Sequence, residues 1–185
     1  CLLLADIGNN LRNREILSLY IIEEPNLSLS ASNTIKVPLI KEIKFKYADK
    51  RRDAEAIFVD PTDQSIYIIS KRDFESTLFK IDNYFYSQSE YILKPILTLP
   101  FTFATVADIS PDGRYIVAKN LTNIFLWQRK GNQSIGEALK GIPKHIPYVI
   151  EPQGEAICFD LNNRYLYTVS ERPFGLDSYL YKYEF

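Results

Sequence analysis

One histidine, two cysteines, no methionine: the chain is short of the residues on which many activities depend. A lone histidine, His145 in 144-KHIPY-148, gives no support to a histidine-based nucleophilic triad and reads as a surface residue ahead of a strand. Cys1 and Cys158 cannot build a disulfide framework, and no Cys or His spacing suits zinc. Cys158, inside 156-AICFD-160, reads as a small buried hydrophobe. Neither a P-loop nor a G-x-S-x-G turn occurs. No apolar run approaches the length of a membrane span. Charge of one sign is missing too: 22 basic against 23 acidic residues remove the basic footprint of a general nucleic-acid binder, and 50-KRR-52 is too short to restore it.

Aromatic residues are what the chain has in quantity. Its 13 Tyr and 11 Phe lie among many Ile, Leu and Val, the vocabulary of half-buried strands, so the reading is all-β. With 46% hydrophobic residues over 185 positions, a sizeable core is within reach.

The strands repeat. Segments 55-EAIFVDP-61, 105-TVADISP-111 and 155-EAICFDL-161 align at a spacing of 50 residues, with hydrophobic positions in phase. Each is followed by a short polar turn (62-TDQ-64, 112-DG-113, 162-NN-163) and a second strand, 65-SIYIISKR-72, 114-RYIVAKN-120 or 164-RYLYTVSER-172. The Asp-Gly and Asn-Asn pairs sit where positive φ is wanted, as in hairpins. Third strands follow at 77–82, 123–129 and 178–185. Proline-bearing fourth strands follow at 91–101 and 146–150, which suits sheet edges.

Four antiparallel strands in about 50 residues match one blade of a β-propeller. The start of the chain enters in the same register, with 2-LLLADIG-8, 16-ILSLYIIEE-24 and 35-IKVPLIKEIKFKY-47 as second, third and fourth strands. The inventory is therefore a partial propeller of about three and a half blades, in one domain over 1–185. The blades run 1–47, 53–101, 104–150 and 153–185. It reads as a piece of a six- to eight-bladed ring, completed by missing chain or by a second copy. Two segments depart from strand patterning. Residues 134-SIGEALKG-141 open with the S-x-x-E of a capping box and predict a short helix, and 25-PNLSLSASN-33 reads as a surface loop.

Antiparallel pairing puts the residues that open first strands beside those that close second strands, on one rim. That rim is predicted to gather Glu55, Thr105 and Glu155 with Lys71, Arg72, Lys119, Glu171, Arg172 and Asp6. Lysines and arginines there suit an anionic or polyhydroxylated ligand; Asp6, Glu55 and Glu155 suit a hard cation such as calcium. A third reading is an ion-pair network that only holds the blades together, and recurrence in more than one blade favours it. Long loops on that side, 7–15, 48–54 and 172–177, place further polar groups nearby.

At 106-VADISPDGRYIVAKN-120 the chain resembles the strand-turn-strand core of β-propellers, including WD-repeat-like and lactonase-like groups. More narrowly, 53-DAEAIFVD-60 with 66-IYIISKR-72, and 154-GEAICFD-160 with 167-YTVSER-172, resemble the D-x-E-(A/G)-I … S-(E/K)-R pattern of bacterial extracytoplasmic propellers of the esterase-like, phytase-related kind. The resemblance implies an extracytoplasmic location and makes Glu55 and Glu155 rim carboxylates of a metal or ligand site. Thr105, where the other repeats have Glu, departs from the pattern and counts against activity. Three functions stay open: a scaffold that binds a small molecule or protein at the channel mouth, a calcium-assisted phosphoesterase or lactonase, and a structural piece of a larger protein.

Overall fold

Period-two patterning here buries both faces of a strand rather than one. In β5 (Ile66–Ser70) every residue is buried. Ile66 and Ile68 join one hydrophobic cluster while Tyr67 and Ile69 join another, because successive side chains point to opposite faces and each face meets a different sheet. The computed structural model describes residues 1–26, 34–85 and 90–185. Positions 27–33 of the expected surface loop lie outside these.

Four sheets follow in chain order, each built of antiparallel consecutive strands. The first holds β1 (Leu2–Asp6), β2 (Leu17–Ile22) and β3 (Leu39–Tyr47). The second holds β4 (Ala54–Val59), β5, β6 (Thr77–Ile81) and β8 (Leu97–Thr98). The third holds β9 (Val106–Ile109), β10 (Tyr115–Lys119), β11 (Ile124–Gln128) and β12 (Lys144–Ile146). The fourth holds β13 (Gly154–Phe159), β14 (Tyr165–Ser170) and β15 (Leu180–Glu184). Hairpins form where the polar turns predicted them, with Gln64, Gly113 and Asn163 at positive φ. A β-carbon on Gly113, at φ +72°, would stand 3.2 Å from Thr62 and 3.4 Å from Pro61 of the preceding sheet, so a side chain there meets both strain and crowding.

The aspartates that close the repeated motif are turn residues. Asp60 accepts from Thr62 N and Oγ1, and Asp160 accepts from Arg164 N and Tyr165 N. Asp60, itself buried, also takes Arg129 Nη1 from the third sheet at 2.9 Å, which ties two sheets together at that end.

Two strands differ from the sequence reading. Residues 91–101 do not make one fourth strand: β7 (Tyr91–Leu93) pairs in parallel with β3 of the first sheet, and only Leu97–Thr98 pairs with β6. Pro95 separates the two pieces, and its missing N–H cannot continue a ladder. β7 thus bridges sheets one and two and buries Tyr91 and Leu93 between them. The other fourth strand is Lys144–Ile146 and stops at Pro147, so His145 lies within it, exposed, edge-on to Phe125. The short helix α1 (Ile135–Leu139) is present with both halves of its capping box, Ser134 and Glu137, and buries Ile135, Ala138 and Leu139 on the core between sheets two and three.

The core is three clusters, one per joint between successive sheets. Between sheets, β4 packs against β9 and β9 against β13, so the first strands converge on one side of the arc. Among the described residues no helix is long and apolar enough to cross a membrane.

Candidate functional site

The two repeated glutamates are bulge residues. In β4 the register with β5 shifts between Ala54 and Ala56, and in β13 the register with β14 shifts between Gly154 and Ala156. Glu55 and Glu155 are the extra residues, turned out of the ladder and re-aimed as bulges do. β9 pairs with β10 without a shift, and Thr105 stands just before it with its amide on the Lys119 carbonyl. The Glu–Thr–Glu series thus tracks bulge, no bulge, bulge.

Lys71 closes the second sheet, its amide bonded to the Asp53 carbonyl. Its ammonium is in close ion contact with Glu55 and lies 3.7 Å from Glu155 Oε1, so one lysine joins carboxylates from the second and fourth sheets. Lys71 is 8% exposed; the two glutamates are 29% and 28% exposed and remain open to solvent on one side. Burial pushes the Glu55 carboxyl up from its ordinary value. Lys71 pulls it back in part, and the neighbouring Glu155 and Asp53 charges add to the upward push. Gln153 Nε2 approaches Glu155 at 3.4 Å.

Lys119 goes elsewhere. It does not reach the rim with Lys71; it lies fully buried in the joint between sheets three and four, 3.2 Å from Glu151 Oε2, donating to the Gly154 carbonyl at 2.7 Å. Strand register is the reason: Lys119 pairs with Val106 inside the ladder, at the place that Ile69, paired with Ala56, holds in the second sheet, and like Val117 it faces the fourth sheet, whereas Lys71 lies beyond the last pair of its ladder, Ala54 with Ser70. Thr105 Oγ1 bonds the same Gly154 carbonyl at 3.2 Å, and Thr168 bonds Glu151 Oε1 at 3.0 Å. Burial pushes the Lys119 ammonium down, against the pull of Glu151. A β-carbon on Gly154 would overlap the Lys119 ammonium and the Glu151 carboxylate. Gly154→Ala is therefore expected to cost about 1–3 kcal/mol by overpacking, read as a lower denaturation midpoint at unchanged slope.

The remaining predicted residues scatter. Arg72 donates to Asp53 Oδ2 at 2.9 Å and to Asn10 at 3.0 Å, with its guanidinium 5.9 Å above the Phe103 ring. Asp6 is held by both terminal nitrogens of Arg14, which lowers its carboxyl pKa. Glu171 is exposed at the closing position of the fourth sheet, and Arg172 stays within its own loop, donating from Nε to the Leu176 carbonyl at 3.5 Å and approaching Asp177 at 3.6 Å. Cys158, expected inside, is exposed. Its side of β13 has no sheet against it.

Sequence reasoning missed a second group of buried charges. Asp73, 5% exposed in its side chain, takes Arg52, Lys50 (2.9 Å) and Arg12 (3.6 Å). Asp53, fully buried, accepts from the Asn9 amide at 2.6 Å as well as from Arg72. The loops 7–15, 48–54 and 71–76 interlock through these carboxylates. The one signal in the sequence was the density of opposite charges in 48-ADKRRDA-54 and 71-KRD-73.

Calcium, which takes six to eight oxygens, does not fit this set. An ammonium already stands between Glu55 and Glu155, Asp6 is engaged by Arg14, and among the described residues no three Asp, Glu, His or Cys side chains are grouped to hold a metal ion.

No protein-family model and no curated protein matches the chain. Solved structures do. A chain of a nidogen/laminin complex aligns over 96% of this chain and 60% of its own length at 13% identity, TM-score 0.56. TolB from Acinetobacter baumannii aligns over 99% of this chain and 39% of its own at 13% identity, TM-score 0.54. Hydrazine synthase from Kuenenia stuttgartiensis aligns over 80% and 37% at 12% identity, TM-score 0.53. The fold is that of a β-propeller. The four sheets are its blades, and the convergent first strands β4, β9 and β13 face its axis. The chain spans less than two thirds of each of these structures. At 12–13% identity the likeness carries the fold and no activity.

Proposed function

We propose that this propeller is a binding scaffold whose channel mouth takes a ligand bearing an ammonium or guanidinium group, such as a basic side chain of a partner protein. The observation that carries the reading is the sharing of one lysine by Glu55 and Glu155, each delivered by a bulge and each partly open to solvent. Two carboxylates against one ammonium leave a negative excess, and Glu171 adds a third exposed carboxylate to the closing position of blade four. Burial raises the Glu55 pKa despite Lys71, a sign that this carboxylate is under-compensated and would gain from a second cation. Placement outside the cytoplasm, implied by the sequence resemblance, belongs to the same proposal.

Calorimetric titration with spermidine and with a lysine-rich peptide is the test. Binding is expected, reduced at least tenfold in Glu155→Gln and strengthened in Lys71→Met, which frees both carboxylates. Absence of any carboxylate-dependent binding overturns the reading. A calcium-dependent rise in melting temperature, together with phosphate-ester hydrolysis lost in Glu155→Gln, would put a hydrolase in its place.

A further inference from the structure

Leu11, Phe74 and Phe103 are 84%, 98% and 39% exposed, yet the loops that carry them are bonded to one another. Asn10 accepts from Arg72 Nε at 3.0 Å and Arg12 donates to the Arg72 carbonyl, so both neighbours of Leu11 hold the loop of Phe74. The Phe103 amide donates to the Lys71 carbonyl at 3.0 Å, and Thr102 Oγ1 donates to the carbonyl of Asp73, the residue before Phe74. Phe103 has φ +58°, a conformation rarely adopted by a bulky residue, with its ring under the Arg72 guanidinium. Strain of this kind gathers where a side chain is held for binding. Lys71, whose carbonyl receives the Phe103 amide, is also the residue whose ammonium joins Glu55 and Glu155. The apolar group and the carboxylate pair therefore meet at one residue. Phe74 and Phe103 lie in loops of blades two and three, which have a blade on either side within the chain, and a further blade would join the ring sideways, not over these loops.

We propose that Leu11, Phe74 and Phe103 are the apolar half of a docking surface whose charged half is the Glu55–Glu155 pair, and that the partner is a protein segment with aliphatic or aromatic side chains beside a lysine or arginine. The proposal rests on the reading of that pair as a cation site. Charge decides the basic residue: two carboxylates share one ammonium and stay partly open to solvent. The exposed rings and Leu11 decide its neighbours. A polyamine would use the carboxylates alone and leave this apolar surface wet, whereas a polypeptide supplies both kinds of contact from adjacent residues. The loop interlock favours association as well, because side chains carried on fixed loops lose less freedom when a partner arrives. Exposed aromatic residues in fixed positions are the type that dominates the energy of protein contacts.

Calorimetric titration with two peptides of equal charge tests this, one with its central lysine flanked by leucines and the other with the same lysine flanked by serines. The leucine-flanked peptide is expected to bind about tenfold tighter or more, the gain from burying one or two aliphatic side chains. That ratio should fall to about one in the double variant Leu11→Ser with Phe74→Ser, whose exposed positions leave the blades folded by circular dichroism. Phe103→Asn, which tolerates the left-handed backbone and lacks the ring, should lower the ratio too; were it to unfold, the double variant carries the comparison. Both peptides should weaken in Glu155→Gln. If the serine-flanked peptide binds and weakens in Glu155→Gln while leucines add nothing, or their gain survives the double variant, the docking surface is overturned and the cation site stands. If the leucine-flanked peptide binds wild type and Glu155→Gln alike, or neither peptide binds, both readings fall. Binding to phosphatidylglycerol vesicles that is lost in Phe74→Ser, with no preference between the peptides, would assign the loops to a lipid surface and overturn the proposal.

Discussion

Glu151→Leu is expected to lower stability by about 3–5 kcal/mol, the cost of leaving a buried charge without its partner. Lys119 has no exposed surface, and its ammonium has two anchors: Glu151 at 3.2 Å and the Gly154 carbonyl at 2.7 Å. Removing the carboxylate leaves a cation facing a carbonyl and the Tyr148 ring, 5.1 Å away. The size of the loss should depend on pH, and the sign can be worked out. Burial already depresses the folded pKa of Lys119 below its ordinary value, and losing Glu151 removes the largest opposing pull and depresses it further. Between that lowered value and the unfolded one, the unfolded chain binds more protons, so stability rises with pH. The deficit of Glu151→Leu should therefore shrink as pH rises from neutral towards the unfolded lysine value. Replacing both groups, as Lys119→Met with Glu151→Leu, should recover most of the loss, because an apolar pair needs no compensation in that joint. Urea melts of the wild type, both single variants and the double variant at two pH values decide the matter. A single-variant loss under about 1 kcal/mol, unchanged with pH, would show that the pair is solvated rather than sealed.

That pair also marks where sequence reading stops. The 50-residue period exposed the blades, the hairpins and the two glutamates, because each depends on local chemistry: alternating apolar residues, turn residues that accept positive φ, and a repeated small-Glu-small step. Whether a residue that closes a second strand lies inside the ladder, against the neighbouring blade, or beyond the ladder's last pair depends on register with the partner strand, which composition does not encode. Lys71 and Lys119 read alike in sequence and separate for that reason. Likewise 91–101 has a strand's composition throughout, and only the geometry around Pro95 assigns its two halves to different blades. Glu151 fell between the strand read at 146–150 and the repeat that opens at 153, and its partner is 32 residues earlier in another blade.

The recurrence of Glu at 55 and 155 favoured an ion-pair network that holds the blades together over a unique site. The geometry removes the first form of that alternative: a blade-by-blade device would give each glutamate its own cation, whereas one lysine serves both and blade three has neither bulge nor glutamate. What the repeat supplies is a pair of matched carboxylates flanking a small residue. Thr105, between them, spends its hydroxyl on the Gly154 carbonyl and so fixes the approach of blade four to blade three.

The loop interlock should be the other large effect. Asp73→Asn is expected to cost about 3 kcal/mol or more at neutral pH, since Arg52, itself buried, loses its closest carboxylate and keeps only Asp49 and Thr77. Burial opposes ionisation of Asp73, but hydrogen bonds from Ser70 and Lys50 and the charge and hydrogen bond of Arg52 outweigh it, and the carboxyl lies below the ordinary aspartate value of 3.8. A depressed folded value means that the stabilisation is present in full above 3.8 and disappears as pH falls through the folded value. The gap between wild type and Asp73→Asn should therefore hold from pH 7 down to about pH 4 and narrow below it. Because Arg12, Lys50 and Arg52 come from two different loops, the variant should also free those loops before the blades melt, so amide exchange at 9–14 and 49–53 should accelerate more than exchange in β5 or β6. Uniform acceleration over the whole molecule, or a gap that widens in acid, would show that Asp73 supports the core directly rather than clamping the loops.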